Sequence, residues 1–159
     1  VAESLAARLP GTVTYVATLL TDDADAELTA RIDRHQARRP STWTTVGATA
    51  DLPDQLRRVA GTVLLDSLGP WVALHQPDDA AVAELCEVLR NRDGDTVVVS
   101  DEVGMAVHPP TPAGRAFQDA MGTANERLAK VADETLLVVA GRVLRTAAVD
   151  VDAILRGHA

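Results

Sequence analysis

Thr62–Asp66 reads T-V-L-L-D, a short apolar run of branched side chains that ends on a carboxylate. It does not alternate apolar with polar residues. That is the pattern of a strand covered on both faces, as in a parallel sheet. Three other segments read the same way: Thr12–Thr18 (TVTYVAT), Thr96–Ser100 (TVVVS) and Thr135–Ala140 (TLLVVA). A short fifth strand fits around Trp43–Val46. Helical stretches lie between and before them, at Val1–Leu9, Asp25–Arg39, Asp79–Arg92 and Pro112–Val131. In the last two, Val82, Leu85 and Leu89, and then Phe117, Met121, Ala124 and Leu128, recur at helical spacing. Alternating strands and helices predict an α/β fold, a mostly parallel sheet with helices on both faces. Residues 1–145 read as one domain, and residues 146–159 as a C-terminal tail or short helix.

The 159 residues carry 47% hydrophobic but only 3% aromatic side chains, so the core is expected to be aliphatic. The length suits one domain with a real core. A net charge of -8 argues against general nucleic-acid binding, which needs a broad basic surface. The single cysteine, Cys86, excludes an internal disulfide and a cysteine-based zinc site, and its apolar helical setting suggests a small core residue. No apolar run approaches the ~18 residues that span a bilayer, and no signal peptide is apparent. A cytoplasmic location is the expectation.

Ligands of open parallel sheets bind beyond the carboxyl ends of the strands. Thr18, Asp66 with Ser67, Asp101 to Gly104, and Gly141 with Arg142 follow the four strands. Asp66 is placed either to hold Mg²⁺ beside nucleotide phosphates or to cap the next helix. Glu102 can serve metal, ribose or substrate, and Gly104 would permit close backbone approach, or the two form an ordinary turn. On a helix, Arg31, His35 and Arg39 share one face. Flanking guanidiniums disfavour the protonated imidazole and can grip phosphate oxygens. A neutral His35 nitrogen so placed could attack the α-phosphorus of a nucleoside triphosphate. The plainer reading is a histidine packed beside Ile32 with solvated arginines. In the last long helix, Arg115 and Asp119 form either a surface ion pair or part of a site. Gly122 in mid-helix suggests close packing or a ligand, because it costs about 1 kcal/mol relative to alanine.

Taken in order, the motifs resemble one family. They are YVAT (Tyr15–Thr18), D-x-E-L-x-x-R-I (Asp25–Ile32), R-x-x-x-H-x-x-x-R-P-x-x-W-x-T (Arg31–Thr45) and VLLD (Val63–Asp66). S-D-E-V-G-M-x-x-x-P (Ser100–Pro109), R-x-F-x-D-x-x-G-x-x-N (Arg115–Asn125) and VVAG (Val138–Gly141) follow. The chain is thereby similar, from about Val1 to Arg142, to the adenosylcobinamide kinase/adenosylcobinamide-phosphate guanylyltransferases of cobalamin biosynthesis. The resemblance implies a RecA-like P-loop NTPase fold, ATP and GTP as substrates, Mg²⁺, a corrinoid acceptor and a homotrimer. It implies phosphorylation of the corrinoid's hydroxyl arm, then GMP transfer from GTP through a histidine–GMP intermediate. The histidine carried over is His35, with Arg31 and Arg39 beside it. Asp66 matches the acidic residue near the metal.

Three departures stand out. The family's G-x-x-x-x-G-K-[ST] loop is expected immediately before Val1, so residues 1–159 are expected to lack the first strand and that loop. Gly47 stands where the family usually has an acid. Ser67, Leu68 and Gly69 replace a Cys-Leu-Thr run after Asp66. Two other readings stay open: a different P-loop-type kinase or NTPase, and a non-catalytic module of the same fold.

Overall fold

The computed structural model describes residues 1–19, 30, 34, 36–37 and 39–148. The elements are α1 (Ala2–Ala6), β1 (Val13–Ala17), β2 (Thr44–Gly47), α2 (Leu52–Arg57), β3 (Thr62–Asp66), α3 (Leu68–His75), α4 (Asp79–Asn91), β4 (Thr96–Val98), α5 (Pro112–Val131), β5 (Thr135–Val139) and β6 (Arg142–Thr146). The helix expected over Asp25–Arg39 and the tail segment Val149–Leu155 lie largely or wholly outside the described residues.

The apolar runs become a four-stranded parallel sheet in the order β2-β1-β3-β4. This is the α/β architecture that the alternation implied. The strand residues Val13, Tyr15, Val16, Val63, Leu64 and Leu65 are all buried. Because side chains alternate across a strand, they divide between two faces. Val16, Val63 and Leu65 join the larger core with Leu52, Leu56, Leu68, Trp71, Leu85 and Met121 from α2 to α5. Val13, Tyr15 and Leu64 form a smaller cluster with Ala6 of α1 on the opposite face. The five-residue α1 packs on β3 and β4 from that side. Cys86 is buried in the larger core, as its setting suggested.

Helix ends follow local chemistry. Asp51, Asp78 and Thr111 each accept a backbone N–H of the first turn of α2, α4 and α5, the usual duty of such side chains at an N-cap. Pro112 opens α5, where its missing N–H leaves no helical bond unmade. Two helices were not anticipated. α2 is short, and α3 begins L-G-P-W, whose glycine and proline hide a helix from propensity. In the first turn a proline is tolerated, and Trp71 anchors α3 by donating from its indole nitrogen to the Thr49 carbonyl at 3.1 Å.

Thr135–Ala140 departs from expectation. β5 does not join the parallel sheet; it pairs antiparallel with β6 as a separate hairpin. Val139 pairs with Arg142, so Ala140 and Gly141, at φ +49° and +72°, form a two-residue turn. Positive φ at both positions matches the twist of a tight hairpin. Gly141 and Arg142 are therefore hairpin residues, not the loop beyond a sheet strand. At Gly122 a Cβ would meet nothing within 4 Å, so close packing among the described residues does not explain that glycine.

Candidate functional site

The parallel register builds the site at the carboxyl ends of β1, β2 and β3. Tyr15 lies opposite Thr45 on one side and Leu64 on the other, and Ala17 lies opposite Asp66. Directly opposed residues share a face, as do residues two apart. Thr45, Tyr15 and Asp66 therefore stand in a row on the α1 face of the sheet. The Tyr15 hydroxyl reaches diagonally to β3 and donates to Asp66 Oδ2. The Arg39 guanidinium covers the Tyr15 ring at 3.3 Å from its centroid, a cation–π stack. An Arg39 terminal nitrogen donates to Thr45 Oγ1 at 3.3 Å. Arg39 Nε is buried and has no hydrogen-bond partner among the described residues.

Tyr15 is 4% exposed, and burial raises its phenol pKa. The hydrogen bond to Asp66 and that carboxylate's charge raise it further, while the Arg39 charge opposes the shift. The phenol is thus held as a proton donor to Asp66.

Thr18, 4% exposed, donates to the Asp66 carbonyl at 3.1 Å and also contacts the Ser67 carbonyl. It locks the chain where β3 ends. Ser67 there takes φ +63°, a conformation that side chains rarely adopt and that costs of order 1–3 kcal/mol. Its hydroxyl donates to Asp101 Oδ2 at 3.2 Å, joining the β3 and β4 ends. Asp101 in turn is held by Asn125 of α5, whose amide donates to the Asp101 carbonyl at 2.9 Å. Asp66 does not cap α3; the N-cap is Ser67, without a side-chain bond to the helix.

Of the residues singled out from sequence, Thr18, Arg39 and Asp66 are brought together at the β1–β3 end. Arg31 and His35 lie outside the described residues. Glu102 and Gly104 lie in an exposed loop, where Glu102 Oε1 accepts the Gly104 N–H at 2.7 Å. No hydrogen bond among the described residues joins them to Asp66. Arg115 donates to the Pro109 and Pro110 carbonyls at 3.2 and 3.0 Å, rather than pairing with Asp119. Tyr15 was missed from sequence. It reads there as one more strand residue, although a lone tyrosine in an aliphatic run was an available signal.

The described residues contain no cluster of three or more His, Cys, Asp or Glu side chains that would cage a metal. Mg²⁺ does not need one; it is held by one or two carboxylates together with waters and phosphate oxygens. Asp66 suits that role. One of its oxygens is fixed by Tyr15, and no described residue donates to the other.

The bifunctional adenosylcobalamin biosynthesis protein CobU of Salmonella typhimurium is 33% identical over 151 aligned residues, covering 81% of this chain and 82% of that protein. CobU of Escherichia coli is 29% identical with the same coverage. The bifunctional adenosylcobalamin biosynthesis protein CobP of Pseudomonas aeruginosa is 32% identical, covering 88% of this chain and 85% of its own. The sequence model of the cobinamide kinase/cobinamide phosphate guanyltransferase family matches residues 1–146, and the chain belongs to that family.

Proposed function

We propose that this protein phosphorylates adenosylcobinamide and then transfers GMP from GTP to the resulting phosphate, with His35 carrying the nucleotide between. The observation that most supports the reading is the row Thr45–Tyr15–Asp66 capped by Arg39. It sets a carboxylate at the ligand edge of a parallel sheet and a guanidinium on the same sheet face, linked to it through Tyr15, and His35 is four positions before that arginine. The family and the named relatives supply the reaction class.

In this reading the His35 nitrogen attacks the α-phosphorus of GTP, and pyrophosphate leaves. The corrinoid phosphate then attacks the same phosphorus and displaces the imidazole, which restores the enzyme. Arg31 and Arg39 hold phosphate oxygens, Arg39 with its flat face fixed on Tyr15. Thr18, which holds the end of β3 in place, is assigned to nucleotide binding as well. Asp66 is the group that would hold Mg²⁺. When bound, that ion neutralises phosphate charge during transfer of the phosphoryl and nucleotidyl groups. Glu102 and Gly104, on the loop after β4, are assigned to nucleotide binding. ATP and GTP are the nucleotide substrates, residues 1–145 act as one domain, and the working form is a cytoplasmic homotrimer.

The test is chemical. Full-length protein is incubated with adenosylcobinamide, ATP, GTP and Mg²⁺, and products are followed by mass spectrometry. Adenosylcobinamide phosphate and then its GDP-linked form are expected. Release of γ-phosphate without nucleotide transfer would mark a different kinase or NTPase. No turnover and no nucleotide binding would mark a non-catalytic module.

A further inference from the structure

We propose that Tyr15 is a positioning residue, one side chain that fixes both the Asp66 carboxylate and the Arg39 guanidinium for nucleotide transfer. The inference rests on the proposed function and adds to it a residue that acts through Asp66 and Arg39.

Period two puts Thr45, Tyr15 and Asp66 on one face of three adjacent strands. A phenol is long enough to span from β1 to the last residue of β3, and a flat ring offers its face to a cation at the same time. Both uses are made: the hydroxyl donates to Asp66 Oδ2, and the guanidinium lies 3.3 Å from the ring centroid. Phenylalanine would offer only the face. A serine or threonine on β1 would be too short for the diagonal. The bond to Oδ2 removes the rotational freedom of the carboxylate and leaves its other oxygen to face a cation. The stack, with the bond to Thr45 Oγ1, fixes the plane of the guanidinium, so its donors meet phosphate in one orientation. Loss of a group that orients a metal-binding side chain typically costs about 10–100-fold in metal affinity or activity.

The two functions separate by substitution. Tyr15→Phe keeps the packing and the ring face but removes the hydroxyl. Mn²⁺ affinity, read by electron paramagnetic resonance in the presence of a non-hydrolysable GTP analogue, is expected to weaken about tenfold. KM for GTP at saturating Mg²⁺ should stay near the wild-type value. Tyr15→Met fills similar volume but has no flat face. There, affinity for a fluorescent GTP analogue should also fall, by about fivefold, and saturating Mg²⁺ should not restore it. If Tyr15→Met does not fold, Tyr15→Phe decides alone. A Tyr15→Phe protein with wild-type Mn²⁺ affinity, or one in which only the melting temperature moves, overturns the proposal. Wild-type protein that transfers no GMP overturns the proposed function instead, so the two failures are distinct.

Discussion

The Tyr15 hydroxyl donates to the Asp66 carboxylate across the β1–β3 pair, in a register that sets Ala17 opposite Asp66. Tyr15 is the only tyrosine in the chain, so its ionisation can be followed without interference from another phenol. Burial, the Asp66 bond and the Asp66 charge all raise its pKa above the ordinary 10.0. The folded protein keeps the proton longer than the unfolded chain does. The resulting stabilisation is complete below about pH 10 and declines as pH rises from there through the folded-state pKa. In metal-free buffer, near-ultraviolet absorbance should show no phenolate at pH values where the urea-unfolded chain has ionised. Asp66→Asn should move the folded-state titration to lower pH, because it removes the charge while leaving the burial. An unshifted titration in the native protein would contradict the contact.

At the opposite end of the sheet, Arg92 gathers five hydrogen bonds. It donates to the carbonyls of Gly94 and Asp95 and to Thr96 Oγ1 at 2.8–2.9 Å, and to the Val59 and Gly61 carbonyls at 2.9 and 2.7 Å. These tie the chain before β3 to the chain before β4. Truncation would leave several half-buried carbonyls without a donor. Arg92→Met is expected to destabilise by about 2–3 kcal/mol in urea denaturation. Arg92→Lys should recover little, because an ammonium lacks the planar fork. Gly94 beside it has φ +113°, and a Cβ there would meet the Gly61 carbonyl oxygen at 2.2 Å. Gly94→Ala should therefore also destabilise, by at least about 1–3 kcal/mol.

Gly122 behaves in the opposite way. It lies inside α5, and added methyl volume meets only open space. Replacing glycine by alanine in a helix removes backbone freedom from the unfolded chain without steric penalty. Gly122→Ala should raise stability by about 0.5–1 kcal/mol in the same denaturation experiment. A loss of stability would mean that the position is covered in the working protein.

How far the sequence could be read depended on whether local pattern or long-range register decided each feature. TVTYVAT and TVLLD became neighbouring buried strands because a continuous branched run has few other homes. TLLVVA has the same local character, yet it forms an exposed hairpin. Nothing inside that run distinguishes the two outcomes. The usable clue lay after it, in a glycine followed at once by a second short strand-like run, R-V-L-R-T. Asp66 was legible as a carboxylate delivered to the sheet edge. Its tie to Tyr15 was not, because a diagonal contact between β1 and β3 exists only once the register is set. The same holds for Arg39, whose spacing to His35 suggested a phosphate grip while its stack on Tyr15 appears only in three dimensions.

A guanylyl group carried on His35 would be visible by labelling. Full-length protein is mixed with α-labelled GTP and Mg²⁺, denatured, and separated from free nucleotide. Label should remain on the polypeptide, resist mild base, be lost in acid as a phosphoramidate is, and be absent from His35→Ala. Label that survives His35→Ala, or wild-type protein that turns over GTP and corrinoid phosphate yet never retains label, would contradict the account.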